Sequence, residues 1–186
     1  MTEISDLQLL TKALAFAAHK HRYQKRKDQE ASPYINHPIA LVNLLVSEGG
    51  ITDLETLCAA LLHDTIEDTE TTPEELTERF GASISGIVQE VTDDKSLLKA
   101  KRKQAQIDHA PHLSPKARAV KLADKTCNLR DVIDSPPSHW PLERRQIYFL
   151  WSKQVIDGLR GDWPELEVLF DYQYESGISA LIEGGE

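Results

Sequence analysis

CAALLHDTIEDT, residues 58–69, joins an apolar helical run to a cluster of ionisable groups. Cys58, Ala59, Ala60, Leu61 and Leu62 are apolar enough to lie in a core, and His63, Asp64, Glu67 and Asp68 follow at once. Glu67 comes four residues after His63, and Asp68 four after Asp64. If the helix continues for one more turn, each acid sits over its partner. Three carboxylates this close, with no Lys or Arg among them, repel one another unless they face water or a cation. A solvated helix end is one reading of the stretch and a bound divalent metal is the other. His and Asp suit a borderline or hard ion, and the absence of thiolates disfavours a structural zinc site. The His-Asp dipeptide alone arises readily by chance, so its context has to carry the argument.

Outward from this stretch the spacing stays helical. Leu7, Leu10, Leu14, Ala17 and His21 predict an amphipathic first helix. Residues 25–36 turn polar and lead into SPYINHP, where Pro33 and Pro38 predict a proline-braced loop that carries His37. Ile39, Leu41, Val42, Leu44, Leu45 and Val46 make a second helix, stopped by Gly49-Gly50. Thr52 or Asp53 caps a third, which runs into the quoted stretch. Thr72-Pro73-Glu74-Glu75 is a start signal with a cap, an N1 proline and a capping-box glutamate.

Gly81 ends that short helix, and Ile84, Ile87, Val88 and Val91 begin another. A Lys-rich segment, 95–103, follows Asp93-Asp94. Ser114-Pro115 starts the helix that carries VKLADKTCNLR; DSPPSHWP is a loop; residues 142–158 are helical; a last helix follows Pro164, and the terminal EGGE frays. No alternating strand run, repeat or low-complexity tract interrupts this pattern. The expectation is an all-α fold in a single domain, 1–186, with its core over about 5–160 and a C-terminal helix and tail over 161–186.

Composition narrows the function classes. The chain has 186 residues and a net charge of −9, so it repels nucleic acid unless it presents a local basic face. Its two cysteines, Cys58 and Cys127, form no CxxC pair and argue for neither a disulfide framework nor a thiolate zinc site. MTEISDLQLL has no basic n-region and no long apolar stretch, and no apolar run approaches a membrane span. The expectations are a cytoplasmic protein with no membrane partner and no nucleic-acid partner.

Further candidates lie where apolar runs meet polar residues. His37 is one. Asp124, after Val120, Leu122 and Ala123, is another, as a cap, a salt-bridge partner of Lys121 or Lys125, or a metal ligand. PYINHP, LLHDTIEDT, VTDDK and KLADKTCNLRD, in that order, resemble the HD-domain metal phosphohydrolases. The nearest resemblance is to the hydrolase domain of the RelA/SpoT homologues, in its single-domain metazoan form, and it covers residues from about 7 to 160. RKD at 26–28 and the Trp, Arg and Tyr between 140 and 148 match as well.

That resemblance implies an HD-domain helical bundle. It implies a metal, usually manganese (Mn2+), held by His37, His63, Asp64 and Asp124, with Glu67 and Asp68 orienting or deprotonating the attacking water. The implied reaction removes the 3′-pyrophosphate of ppGpp and pppGpp, giving GDP or GTP and pyrophosphate. A phosphohydrolase acting on another nucleotide, such as the 2′-phosphate of NADPH, shares the same metal site. A silent nucleotide-binding module has no chemical need for all six residues.

The basic stretch Lys20, Arg22, Lys25, Arg26 and Lys27 reads either as a solvated helix end or as an anion site. The helix-end reading is preferred for Lys20 and Arg22. The resemblance makes Arg26 a base-stacking arginine and Lys27 a phosphate contact. One of Lys95 and Lys99 reaches phosphate on this reading, and for Lys99 that role is favoured over a surface one. Asn128 shares the helix face of Asp124 and matches a nucleoside-contacting asparagine, and Arg144 and Tyr148 could present a phosphate donor and a phenol to the same pocket. Tyr148 and Trp140 read equally well as packing aromatics. His19, His109, His112 and His139 are expected at the surface. Thr126 and Cys127 replace bulkier residues of the related motif, which predicts an enlarged or loosened base pocket.

Overall fold

The computed structural model describes residues 5–183. Among these residues the chain forms ten α-helices and one 3-10 turn, with a single antiparallel bridge between Lys25 and Pro33. The all-α expectation holds. The helices are α1 (Asp6–Lys20), α2 (Asn36–Ser47), α3 (Leu54–Leu62), α4 (Thr65–Asp68), α5 (Pro73–Phe80), α6 (Ala82–Val91), α7 (Lys99–His109), α8 (Pro115–Asp134), α9 (Leu142–Asp157) and α10 (Pro164–Glu183).

Two helices build the middle. In α3 every residue from Thr56 to Leu62 is buried, which fits a helix that is apolar all round. Its N-terminus is fixed by Asp53, whose carboxylate accepts from the Thr56 N–H at 2.9 Å, so Asp53 and not Thr52 is the cap. Ser114 caps α8 and Pro115 takes the first helical position, where its missing N–H costs nothing. α8 packs against α2, α3, α6, α9 and α10. It buries Leu122, Ala123 and Leu129 together with two lysines, Lys121 and Lys125. Buried lysines in a central helix need acceptors, and theirs lie at the functional site.

Several local readings change. His37 is not in a loop: Asn36, His37 and Pro38 form the first turn of α2, where a proline is tolerated because first-turn N–H groups have no helical partner. α3 does not run on through the acidic cluster. It stops at Leu62, Asp64 leaves helical geometry at φ −101° and ψ 3°, and the chain restarts as the single turn α4. The second half of the Lys-rich segment is helical, as α7.

Thr72 caps α5 by accepting from the Glu75 N–H at 3.2 Å, but the Glu75 carboxylate turns to Lys20 and Arg79, so the capping box is only half made. A complete box stands at α1 instead, between Ser5 and Gln8. Of the EGGE tail, Gly184, Gly185 and Glu186 lie outside the described residues.

α10 packs against α8 and α9 and contributes Leu166, Phe170 and Leu181 to the core. The α9–α10 approach depends on Gly177. A Cβ there would stand 2.5 Å from Cε1 and 2.7 Å from Cζ of the fully buried Phe149 ring. Gly177→Ala is therefore expected to destabilise the fold by about 1–3 kcal/mol through overpacking, despite the better helix propensity of alanine. Thermal melting should fall by about 2–4 °C per kcal/mol. An unchanged or raised melting temperature would show that the ring yields without cost.

Candidate metal and nucleotide site

Residues from α2, the α3–α4 break and α8 meet on one cavity of about 620 Å³. His63 closes α3, and its Nδ1–H donates to the Ala60 carbonyl at 2.8 Å. That bond fixes the tautomer and leaves Nε2 with a free lone pair. Nε2 is buried and has no hydrogen-bond partner among the described residues; Asp64 Oδ2 is 3.1 Å away but lacks hydrogen-bonding alignment. His37, from the first turn of α2, sets Nε2 3.2 Å from Asp124 Oδ1. One ligand atom each from His37, His63 and Asp124 lies within 4.8 Å of the other two.

Two imidazoles and a carboxylate converging on an unpaired buried lone pair fit a divalent ion. Asp64 stands at the edge of this trio and accepts a hydrogen bond from the buried Tyr34 hydroxyl.

The charges in the cluster control one another. Burial works against the Asp124 carboxylate, but Lys125 at 3.1 Å and His37 outweigh it and hold the pKa well below the usual range. Asn128 also donates to Asp124, at 2.6 Å. Burial likewise opposes ionisation of Asp64, and the neighbouring His63 reverses the effect. His63 is pushed up to about 9: burial disfavours its charged form, and Asp64 and Asp124 more than compensate. Without an ion, the site holds a proton where a metal would compete for the same lone pair. Glu67 moves the other way from Asp64. Burial first, then the charges of Asp64 and Asp93, raise it to about 7.

Glu67 and Asp68 both line the cavity with His37, His63, Asp64 and Asp124. Because α4 restarts after the Asp64 break, the Asp68 N–H still donates to the Asp64 carbonyl at 2.8 Å, and the two acids stay one turn from the His-Asp pair. Glu67 accepts from the Asp93 N–H at 3.2 Å. Asp68 accepts from Gln24 at 2.7 Å and is paired with Lys95.

Of the residues assigned to substrate, Arg26, Lys27, Asn128 and Tyr148 line the cavity. Arg26 pairs with Asp131 and lies over the Tyr34 ring. Lys99 and Arg144 are not on the cavity wall: Lys99 is exposed at the start of α7, and Arg144 stacks on Trp140 at 4.5 Å. Of Lys95 and Lys99, Lys95 is the one that pairs with an acid of the cavity, Asp68. Lys20 pairs with Glu70 and Glu75 and Arg22 folds back on the His19 carbonyl, so neither faces the cavity. His19, His109, His112 and His139 are exposed, as expected.

Thr126 and Cys127 are buried in α8 away from the cavity wall, and the Thr126 hydroxyl donates to the Leu122 carbonyl. Their small size therefore does not enlarge the pocket directly. Sequence reading missed Gln24, Tyr34 and Asp131, and named Lys125 only as one of two salt-bridge partners for Asp124. Tyr34 stands inside the PYINHP motif and was open to discovery there, whereas Gln24 meets Asp68 across 44 residues of chain and left no local signal.

Comparison with known proteins identifies the family. The HD domain family (HD_4) matches residues 13–152. The chain is 52% identical over 176 residues to guanosine-3′,5′-bis(diphosphate) 3′-pyrophosphohydrolase MESH1 of Xenopus tropicalis, covering 94% of this chain and 98% of that protein. It is 53% identical over 163 residues to the Homo sapiens protein of the same name, covering 88% and 91%. A solved structure described as a metazoan ortholog of SpoT that hydrolyzes ppGpp and plays a role in starvation responses superposes with a TM-score of 0.89. It shares 45% identity and covers 95% of this chain and 98% of the other. The chain belongs to the HD domain family and, within it, to the family of the MESH1 proteins.

Proposed function

We propose that this chain is a cytoplasmic, manganese-dependent hydrolase that removes the 3′-pyrophosphate of ppGpp and pppGpp, acting as one hydrolase domain over residues 1–186. The observation that carries the reading is the meeting of His37, His63 and Asp124 with Glu67 and Asp68 on one cavity. The relatives named for this reaction support the substrate. No described helix is long and apolar enough to cross a membrane, and a small anionic nucleotide suits a cavity rimmed by Arg26 and Lys27.

His37, His63, Asp64 and Asp124 would hold the ion. When bound, a divalent ion lowers the pKa of a coordinated water and offsets charge on the phosphate under attack. The remaining work belongs to side chains. Glu67, with its pKa raised to about 7 by burial and by Asp64, is poised to take a proton from the attacking water near neutral pH. Asp68, fixed by Gln24 and Lys95, aligns that water. The water oxygen bonds to the phosphorus attached to the ribose 3′ oxygen, that P–O bond breaks, and the departing 3′ oxygen takes up a proton. Arg26 offers a flat guanidinium to the base and Lys27 a point charge to phosphate. Asn128 and Tyr148 lie on the same wall to orient the nucleoside.

Metal removal tests the reading. Chelated protein is expected to lose ppGpp hydrolysis and to regain it with manganese. Turnover that survives exhaustive chelation would overturn the metal assignment.

A further inference from the structure

Asp68 does not hold its position unaided. Gln24 Nε2 donates to Asp68 Oδ2 at 2.7 Å, and the other end of the same amide, Oε1, is 2.6 Å from His21 Nδ1. His21 is 2% exposed. With Nδ1 as the donor, the imidazole fixes which end of the Gln24 amide faces Asp68. An amide that flipped would turn its carbonyl oxygen toward a carboxylate. His21 in turn lies against Tyr34, with ring centroids 4.8 Å apart, and Tyr34 donates to Asp64. The backbone is pinned as well: the Gln24 N–H donates to the His21 carbonyl at 2.9 Å, and the Gln24 carbonyl accepts from the Tyr34 N–H at 3.1 Å. Gln24 is thus held on both sides of its main chain and engaged at both ends of its side chain.

We propose that Gln24 is a positioning residue for the reaction, acting through Asp68, with His21 locking its amide. The inference rests on the role given above to Asp68. Gln24 sits in the turn after α1, and Asp68 closes α4. The contact ties the substrate-facing turn, which continues into Arg26 and Lys27, to the acid that aligns water. A side chain engaged with protein at both ends suits aiming a carboxylate better than gripping a ligand. Partners that orient metal ligands are worth about 10–100-fold in metal affinity or activity, and a loss of that order in activity is expected here for the partner of a water-aligning acid.

The test is a double-mutant cycle on ppGpp hydrolysis with manganese, with metal affinity measured calorimetrically on each protein. Gln24→Leu is expected to lower kcat by about 10–100-fold, with KM and metal affinity within about twofold of the parent. In an Asp68→Asn background the same change should add almost nothing, because groups that act through one another are not additive. His21→Phe keeps the ring against Tyr34 and removes the lock, and should lower kcat in the same direction.

An unchanged kcat in Gln24→Leu would overturn the proposal. So would a loss that multiplies fully with Asp68→Asn, or one that appears in KM or metal binding alone. If Gln24→Leu fails to fold, His21→Phe in both backgrounds decides on the same criteria. Failure of the parent protein to hydrolyse ppGpp would instead count against the proposed function, so the two failures are distinct.

Discussion

Asp124→Asn is expected to abolish metal-dependent hydrolysis while leaving the helical fold in place, and Asp124→Ala is expected to damage both. Asp124 is the group on which the buried charges converge. It accepts from Asn128 at 2.6 Å and Lys125 at 3.1 Å, and its Oδ1 lies 3.2 Å from His37 Nε2. Asparagine keeps one acceptor oxygen and the side-chain volume but cannot supply an anionic ligand. Metal affinity should fall by at least about 10–100-fold, and turnover with it.

Both variants remove the charge paired with Lys125, whose side chain is 5% exposed, but alanine also removes the acceptor oxygen that asparagine keeps for it. Breaking a buried pair from one side costs about 3–5 kcal/mol, because the remaining charge stays buried. Lys125 lies 4.5 Å over Trp151, which softens that loss without replacing it. Metal titration and thermal melting of the two variants separate the effects. An Asn variant with full metal affinity would remove Asp124 from the ligand set, and an Ala variant as stable as the parent would show that Lys125 finds another acceptor.

Glu67→Gln is expected to keep the metal, to slow turnover by about a hundredfold to ten-thousandfold, and to change how stability depends on pH. Burial, Asp64 and Asp93 raise the Glu67 pKa from 4.5 to about 7 in the metal-free protein. An acid whose pKa is higher when folded binds its proton more tightly in the native state. Stability therefore falls as pH rises from about 4.5 through 7. The side chain is partly solvated, so the loss is on the order of 1 kcal/mol after screening. The amide of the Glu67→Gln protein does not titrate, and the metal-free variant should melt higher than the parent at pH values above the folded pKa. A variant that melts with the parent at every pH would show that Glu67 carries no such strain. Loss of metal binding would make Glu67 a ligand.

What the sequence disclosed and what it hid follow from distance along the chain. Helix existence was legible because α1, α3 and α8 carry apolar residues at three- and four-residue spacing. His63, Asp64, Glu67 and Asp68 were legible because their charges crowd into one short stretch. Their local geometry was not: Asp64 leaves the helix, and only the restart of α4 keeps the acids one turn away. His37 was misplaced into a loop because Pro38 reads as a breaker, although a first-turn proline leaves no N–H unsatisfied.

Lys125 was named only as one of several partners for Asp124, since nothing local distinguishes it from Lys121, which donates instead to the Val91 carbonyl. Gln24 and Asp131 take their meaning from residues 44 and 105 positions away, a distance no periodicity reports. Arg144 carries the opposite lesson. Its four-residue spacing from Tyr148 suggested a shared pocket, yet its guanidinium stacks on Trp140 while Tyr148 lines the wall.

The most direct test of the central claim is product analysis of ppGpp incubated with the purified protein and manganese in heavy-oxygen water. The proposed attack on the phosphorus beside the ribose 3′ oxygen predicts unlabelled GDP and pyrophosphate carrying the heavy oxygen. Release of orthophosphate, label on the nucleoside product, or intact ppGpp beside cleavage of another nucleotide such as NADPH would contradict it.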